Sequence, residues 1–144
     1  MTQSSRENNQ SCLARHLKAE NAHRLQETLA TLTADCVFED VALQRTFHGR
    51  TGAAEYYRMW WSAFAVEVQL QDGARHWIAD DLLVSETSYA GKHVGEFLGI
   101  AATGRPIQLR FVVFVTFRGG FFAGERFYYD LTTLLRQIGA ERLP

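Results

Sequence analysis

A chain of 144 residues carrying 15 Lys and Arg against 16 Asp and Glu suits one domain and is close to neutral, so no basic excess exists to neutralise a phosphate backbone or an anionic bilayer. Nucleic acid and membrane are therefore not expected partners. No apolar run approaches the roughly 18 residues of a membrane span, and residues 1–10 lack the apolar core of a secretory signal, so a cytoplasmic location is expected.

Residues 1–10 are polar and aperiodic, which predicts a disordered tail and leaves 11–144 as a single domain. From Ser11 onward Leu13, Leu17, Leu25, Leu29 and Leu32 share one stripe of a helical period while Arg15, Lys18, Glu20 and Arg24 fall elsewhere, predicting one long amphipathic helix. Residues 36–40 read as a short strand, and Phe47-His48-Gly49-Arg50-Thr51-Gly52 as a turn into a second helix over 53–65. That helix carries Tyr56, Tyr57, Met59, Trp60, Trp61 and Phe64, so it should be buried on more than one side.

Beyond Val66 the period drops to two. Strands are predicted over 66–70, 76–78, 82–89, a glycine-interrupted 91–99, 107–117 and 121–129, with turns at Asp72-Gly73, Asp80-Asp81, residues 103–106 and Arg118-Gly119-Gly120. A last helix over 130–138 stops at Gly139. Helices first and hairpin-linked strands after them make an α+β domain, a curved antiparallel sheet with the amino-terminal helices on its concave face. Gly91, Gly95 and Gly99 are suited to bending it. Ten Phe, five Tyr and three Trp can line an apolar pocket as well as fill a core. Strand 107–117 is apolar on both sides, with Phe111, Val113, Val115 and Phe117 on one and Val112 and Phe114 on the other. A homodimer through the outer face of the sheet is expected to cover the second side.

The run Gly91-Lys92-His93-Val94-Gly95-Glu96-Phe97-Leu98-Gly99-Ile100, then Thr103-Gly104-Arg105, then Tyr129-Asp130 with Leu134-Leu135-Arg136-Gln137-Ile138-Gly139, resembles the SnoaL-like polyketide cyclase family of the nuclear transport factor 2-like superfamily. Asp35-Cys36-Val37-Phe38-Glu39-Asp40 and Phe47-His48-Gly49-Arg50 resemble the family's early segment. The resemblance implies a cone-shaped fold and cofactor-free acid/base chemistry on an apolar carbonyl compound, an intramolecular aldol-type cyclisation. It also implies that Asp130, at the end of the last strand, is the acid/base.

The residues themselves support Asp130 as well. A carboxylate after Phe127-Tyr128-Tyr129 loses hydration among rings and becomes a stronger base, although Asp is equally suited to capping the helix that follows. His93, between Gly91 and Gly95, is the second catalytic candidate, with core packing as its alternative. A regular strand places Tyr128, Arg126 and Phe122 on the side of Asp130, with Tyr128 as pocket wall and Arg126 as oxygen-binding cation. Trp60, Tyr57 and Phe64 would supply apolar walls.

His16 and His23 lie seven residues apart on the first helix without a third ligand, so no metal is expected. Cys12 and Cys36, with no repeated short spacing, read as reduced thiols. No glycine-rich nucleotide loop or nucleophile elbow is present, and no cofactor is expected. A non-catalytic binding domain, or an isomerase or dehydratase using the same Asp, are the alternative readings, since this superfold hosts all of them.

Overall fold

A computed structural model describes residues 4–70 and 73–140. Among these residues the elements follow in the order α1 (Ser5–Asn21), α2 (Leu25–Leu29), β1 (Leu32–Asp40), β2 (Arg45–His48), α3 (Gly49–Phe64), β3 (Glu67–Val68), β4 (Ala74–Ala79), β5 (Leu82–Lys92), β6 (Pro106–Arg118), β7 (Phe121–Tyr129) and α4 (Leu131–Gln137). The strands form one sheet in the order β2, β1, β7, β6, β5, β3, and β4 also pairs with β5. β1 runs parallel to β7, while every other described pairing is antiparallel. This is the α+β architecture expected from the sequence: an open curved sheet with the amino-terminal helices packed on it.

The residues that the sequence pattern assigned to a disordered tail are helical from Ser5. Ser4 caps α1 by accepting a hydrogen bond from the Glu7 backbone N–H at 3.1 Å. Asn9 is buried and donates to the Asp80 carbonyl at 2.8 Å, and Arg6 pairs with the Asp80 carboxylate at 3.0 Å. Polar tertiary contacts hold this first stretch, which is why an apolar period does not reveal it. The long helix expected to reach Leu32 is instead broken after Asn21. His23 takes a positive φ of 54°, its ring bonds the Val66 carbonyl at 2.7 Å, and it stacks on Trp61. Leu25 and Leu29 resume on α2 in a similar phase, so the break leaves no mark in the leucine spacing.

α3 buries Ala53, Tyr56, Tyr57, Trp60, Ala63 and Phe64, a repeat of three and four residues that turns one face to the sheet. Full burial of rings such as Phe38, Phe64 and Phe122 stabilises the fold by about 1.5–3 kcal/mol each. Asp40, also buried, accepts hydrogen bonds from the Tyr56 and Tyr129 hydroxyls at 2.7 and 2.8 Å and from the Leu43 N–H at 2.8 Å. That one carboxylate ties the end of β1 to α3 and β7.

Two strands are shorter than the sequence suggested. The strand expected over 66–70 is only Glu67–Val68, clamped by Asn21, whose side chain donates to the Val68 carbonyl at 3.1 Å and accepts from its N–H at 2.8 Å. Asp72, half of the hairpin signal, lies outside the described residues. The strand expected over 91–99 is the end of β5 followed by a loop. Gly91 and Gly95 serve close approach there, because a Cβ on either would collide with the carbonyl oxygens of Phe64 and Ser62 at the end of α3.

Register decides which side chains face the helices. Leu83, Ser85, Thr87 and Tyr89 of β5 stand beside Val115, Val113, Phe111 and Leu109 of β6. Val115, Val113 and Phe111 in turn stand beside Glu125, Phe127 and Tyr129 of β7. A shift between Thr116 and Phe117 interrupts the second ladder, and another between Leu32 and Val37 interrupts the pairing of β1 with β7. Such irregularities bend the strands they occur in.

Candidate active site

Between α1 and the inner rows of the sheet lies a cavity of about 330 Å3. Leu13, Leu17, Leu83, Val113, Phe122 and Phe127 give it apolar walls. His16 and Glu20 of α1 and Glu125 of β7 line it too. Their exposures of 1%, 7% and 8% mark a polar cluster withdrawn from solvent.

Helical spacing brings the first two together: Leu13, His16, Leu17 and Glu20 occupy one inward stripe of α1. His16 Nε2 stands 3.4 Å from Glu20 Oε2 and 3.8 Å from Glu125 Oε1. The Tyr57 hydroxyl reaches the same nitrogen at 3.1 Å, and the Tyr89 hydroxyl donates to Glu20 Oε1 at 3.2 Å. The imidazole is stacked on Phe122, with centroids 4.1 Å apart. One imidazole nitrogen thus faces two carboxyl groups in the wall of a cavity that apolar and polar side chains line together.

Burial, then the charge of Glu20, pushes the Glu125 carboxyl well above the usual carboxylate range. Both causes favour the protonated form of Glu125, the form that can donate. Burial also raises Tyr57 and Tyr89 far above the ordinary phenol value, with the neighbouring carboxylates adding to the effect. Both hydroxyls remain donors at any physiological pH.

Several residues singled out in the sequence stand elsewhere. Asp130 is exposed and caps α4, accepting from the Thr132 and Thr133 N–H groups at 3.0 and 3.3 Å and from the Thr133 hydroxyl at 2.8 Å. Those bonds, the Thr133 hydroxyl first, lower its carboxyl below the ordinary value, opposite to what a pocket base requires. Arg126 and Tyr128 share its side of β7. Arg126 lies over the Phe114 ring at 4.8 Å on the outer face, and Tyr128 is 39% exposed. The two-residue period holds only from Glu125 to Tyr129, where the inward set is Glu125, Phe127 and Tyr129; the register shift against β6 breaks it before Gly124, so Phe122, expected on the side of Arg126 and Tyr128, is buried and lines the cavity.

His93 is buried away from the cavity. Its Nδ1 accepts from the Thr103 N–H at 3.2 Å and lies 2.9 Å from the Thr103 hydroxyl, while its backbone bonds Arg105 and Gly104. It fastens the loop between β5 and β6. Its Nε2 has no hydrogen-bond partner among the described residues. Trp60 and Phe64 pack in the core against Phe97, with ring centroids 5.9 and 4.9 Å away. Of the residues named as apolar walls, only Tyr57 touches the polar cluster, and it does so through its hydroxyl.

Sequence reasoning missed Glu20, Glu125 and Tyr89, and weighed His16 only as a metal ligand. Glu20, expected to fall off the leucine stripe, stands four residues from His16 on the same inward face of α1, and that spacing was the available signal. The oxygen-binding cation sought in Arg126 has a counterpart in Arg75 of β4, which lines the cavity beside Leu70 and Gly73. His23 bonds Val66 instead of joining His16, and among the described residues no cluster of His, Cys, Asp and Glu is arranged to hold a metal. Cys12 and Cys36 are free and buried. No helix among the described residues is long and apolar enough to cross a membrane.

The sequence matches the model of the SnoaL-like polyketide cyclase family over residues 10–138. A crystal structure from Xanthomonas campestris, provisionally named a polyketide cyclase, is 18% identical, covers 94% of this chain and 100% of its own, and has a TM-score of 0.84. Another of the same provisional name, from Pseudomonas putida, is 18% identical over 96% of this chain and 100% of its own, with a TM-score of 0.81. A Catenulispora acidiphila protein with a ketosteroid isomerase-like fold, solved in complex with trimethylamine, is 20% identical over 92% of this chain and 97% of its own, with a TM-score of 0.71. No curated protein matches the sequence. At these identities the superpositions establish the fold alone, whereas the family match spans most of the residues; the chain belongs to the SnoaL-like polyketide cyclase family.

Proposed function

We propose that this protein is a cofactor-free acid/base enzyme that cyclises an apolar carbonyl compound, with Glu20, His16 and Glu125 as its proton-transfer groups. The observation that carries the proposal is the pair of carboxyl groups facing one imidazole nitrogen, at 3.4 and 3.8 Å, in the wall of the cavity. Glu20, oriented by Tyr89, removes a proton from a carbon activated by carbonyl groups. The enolate attacks a ketone of the same molecule, forming the new C–C bond. Glu125, which holds its proton, gives it to the resulting alkoxide. The proton on Glu20 passes through His16 Nε2 to Glu125, so no proton is gained or lost in a cycle. A positioned acid/base group contributes about a hundredfold to ten-thousandfold, and the cavity walls fold the chain of the substrate.

Solvent exchange tests the first step without knowledge of the natural substrate. 2-Tetralone, an apolar ketone with acidic C1 protons, is incubated with the enzyme in D2O and followed by proton NMR. Exchange should be accelerated by the wild type and lost in Glu20→Gln. A wild type no faster than Glu20→Gln, yet still binding 2-tetralone, favours a binding domain instead. An isomerase or dehydratase would share the exchange step and differ in its products.

We also propose a homodimer through the outer face of the sheet. Val84, Val112 and Phe114 are half-buried there, beside exposed Tyr128. Sedimentation equilibrium at micromolar concentration should give twice the chain mass, and a clean 16.4 kDa species rejects the dimer.

A further inference from the structure

We infer that Thr31 is a positioning residue that fixes His16 as the tautomer protonated on Nδ1, leaving the lone pair of Nε2 to relay protons between Glu20 and Glu125.

The Thr31 hydroxyl stands 2.6 Å from the Thr28 carbonyl oxygen and 2.7 Å from His16 Nδ1. A carbonyl oxygen only accepts, so the single hydroxyl hydrogen of Thr31 must be spent on Thr28; otherwise two bare oxygens would face each other at 2.6 Å. The Thr31 oxygen can then only accept from His16, and the proton must sit on Nδ1. In the neutral ring Nε2 is left as the acceptor, and the Tyr57 hydroxyl at 3.1 Å donates to it in the resting state.

Thr31 is itself held from several directions. Its N–H donates to the Thr28 carbonyl at 3.1 Å, its carbonyl accepts from the Phe122 N–H at 2.9 Å, and the Cys12 thiol lies 3.5 Å from the same oxygen. Thr28 is buried and bonds back to the Arg24 carbonyl at 2.8 Å. The short segment between α2 and β1 is therefore a rigid acceptor placed behind the imidazole. Because both carboxyl groups face Nε2, this nitrogen can take a proton from one and release it to the other while the proton on Nδ1 stays in place. The opposite tautomer would present an N–H to both carboxyl groups and could not accept.

The tautomer is directly observable. Two-bond 1H–15N correlation spectra of uniformly 15N-labelled protein distinguish Nδ1–H from Nε2–H for each neutral histidine, and His16→Gln assigns the signal. The expected result is Nδ1–H in the wild type, a shift towards Nε2–H in Thr31→Val, and a return to Nδ1–H in Thr31→Ser, which keeps the hydroxyl. In the 2-tetralone exchange assay, Thr31→Val should lose about tenfold to a hundredfold in kcat with KM little changed, and Thr31→Ser should recover most of it. Nε2–H in the wild type, or an unchanged tautomer in folded Thr31→Val, overturns the inference. The wild-type spectrum decides even if the valine variant fails to fold. The kinetic arm rests on the proposed acid/base role, whereas the spectroscopic arm stands without it, so failure of one is distinguishable from failure of the other.

Discussion

The two faces of β7 carry similar chemistry in opposite surroundings. Inward, Glu125 is followed by Phe127 and Tyr129; outward, Arg126 is followed by Tyr128 and then Asp130 just past the strand. Each row holds a carboxylic acid beside aromatic rings. The inner carboxyl, desolvated and near Glu20, is pushed up; the outer one, solvated and bonded by Thr133 and Thr132, is pulled down. Aromatic neighbours in sequence do not make a carboxylate a base. Desolvation by the fold does, and a shift of one residue along a strand decides which carboxylate receives it.

The largest expected effect sets these two acids against each other. Glu125→Gln should lower turnover about a hundredfold or more, because a general acid is removed, whereas Asp130→Asn, which preserves the cap, should leave it within about twofold. Steady-state cyclisation kinetics, once a substrate is in hand, or burst release of product in a single turnover would show the contrast. Equal losses in both variants would erase the distinction between the faces.

The arginines offer a second, smaller contrast. Arg75 lines the cavity, while Arg126 lies over Phe114 outside it. Titration with naphthalene-2-carboxylate should show affinity falling about threefold to tenfold in Arg75→Gln and unchanged in Arg126→Gln. Neutral 2-naphthol should not distinguish the two variants.

Stability against pH follows from the same opposed shifts. Glu125 binds its proton more tightly in the folded than in the unfolded chain, so its contribution is full below the unfolded value near 4.5 and is lost as pH rises through the folded value. Thermal unfolding of Glu125→Gln should therefore gain on the wild type by a few degrees as pH rises above the unfolded value near 4.5. Asp130 has the reverse sign: its contribution is present above the ordinary 3.8 and is lost as pH falls through the lowered folded value. Asp130→Ala should cost only a degree or two at neutral pH, and less in acid.

Much of the fold could be read from the residues, because β6 alternates along its length and the turns at Asp80-Asp81 and Gly119-Gly120 mark where β4 gives way to β5 and β6 to β7. Helix α3 announced itself by ring spacing. The amino-terminal turn of α1 did not, since Asn9 and Arg6 bond Asp80 through polar contacts that leave no period. The site was legible only in halves. His16 and Glu20 share the leucine stripe of α1, yet nothing local says that a distant strand will bring Glu125 within 3.8 Å. The inward parity of β7 was there in Phe127 and Tyr129, but anchoring the strand on Asp130 assigned the catalytic role to the wrong side.

The protonation state of Glu125 is the most direct measure of the proposed chemistry. With 13C label at the Glu side-chain carboxyl and Glu125→Gln to assign the signal, a titration between about pH 4 and about pH 8 should show this carboxyl protonated at neutrality and titrating far above the ordinary 4.5. A Glu125 that titrates near that ordinary value would show an ionised carboxylate in the cavity wall and contradict its role as the acid.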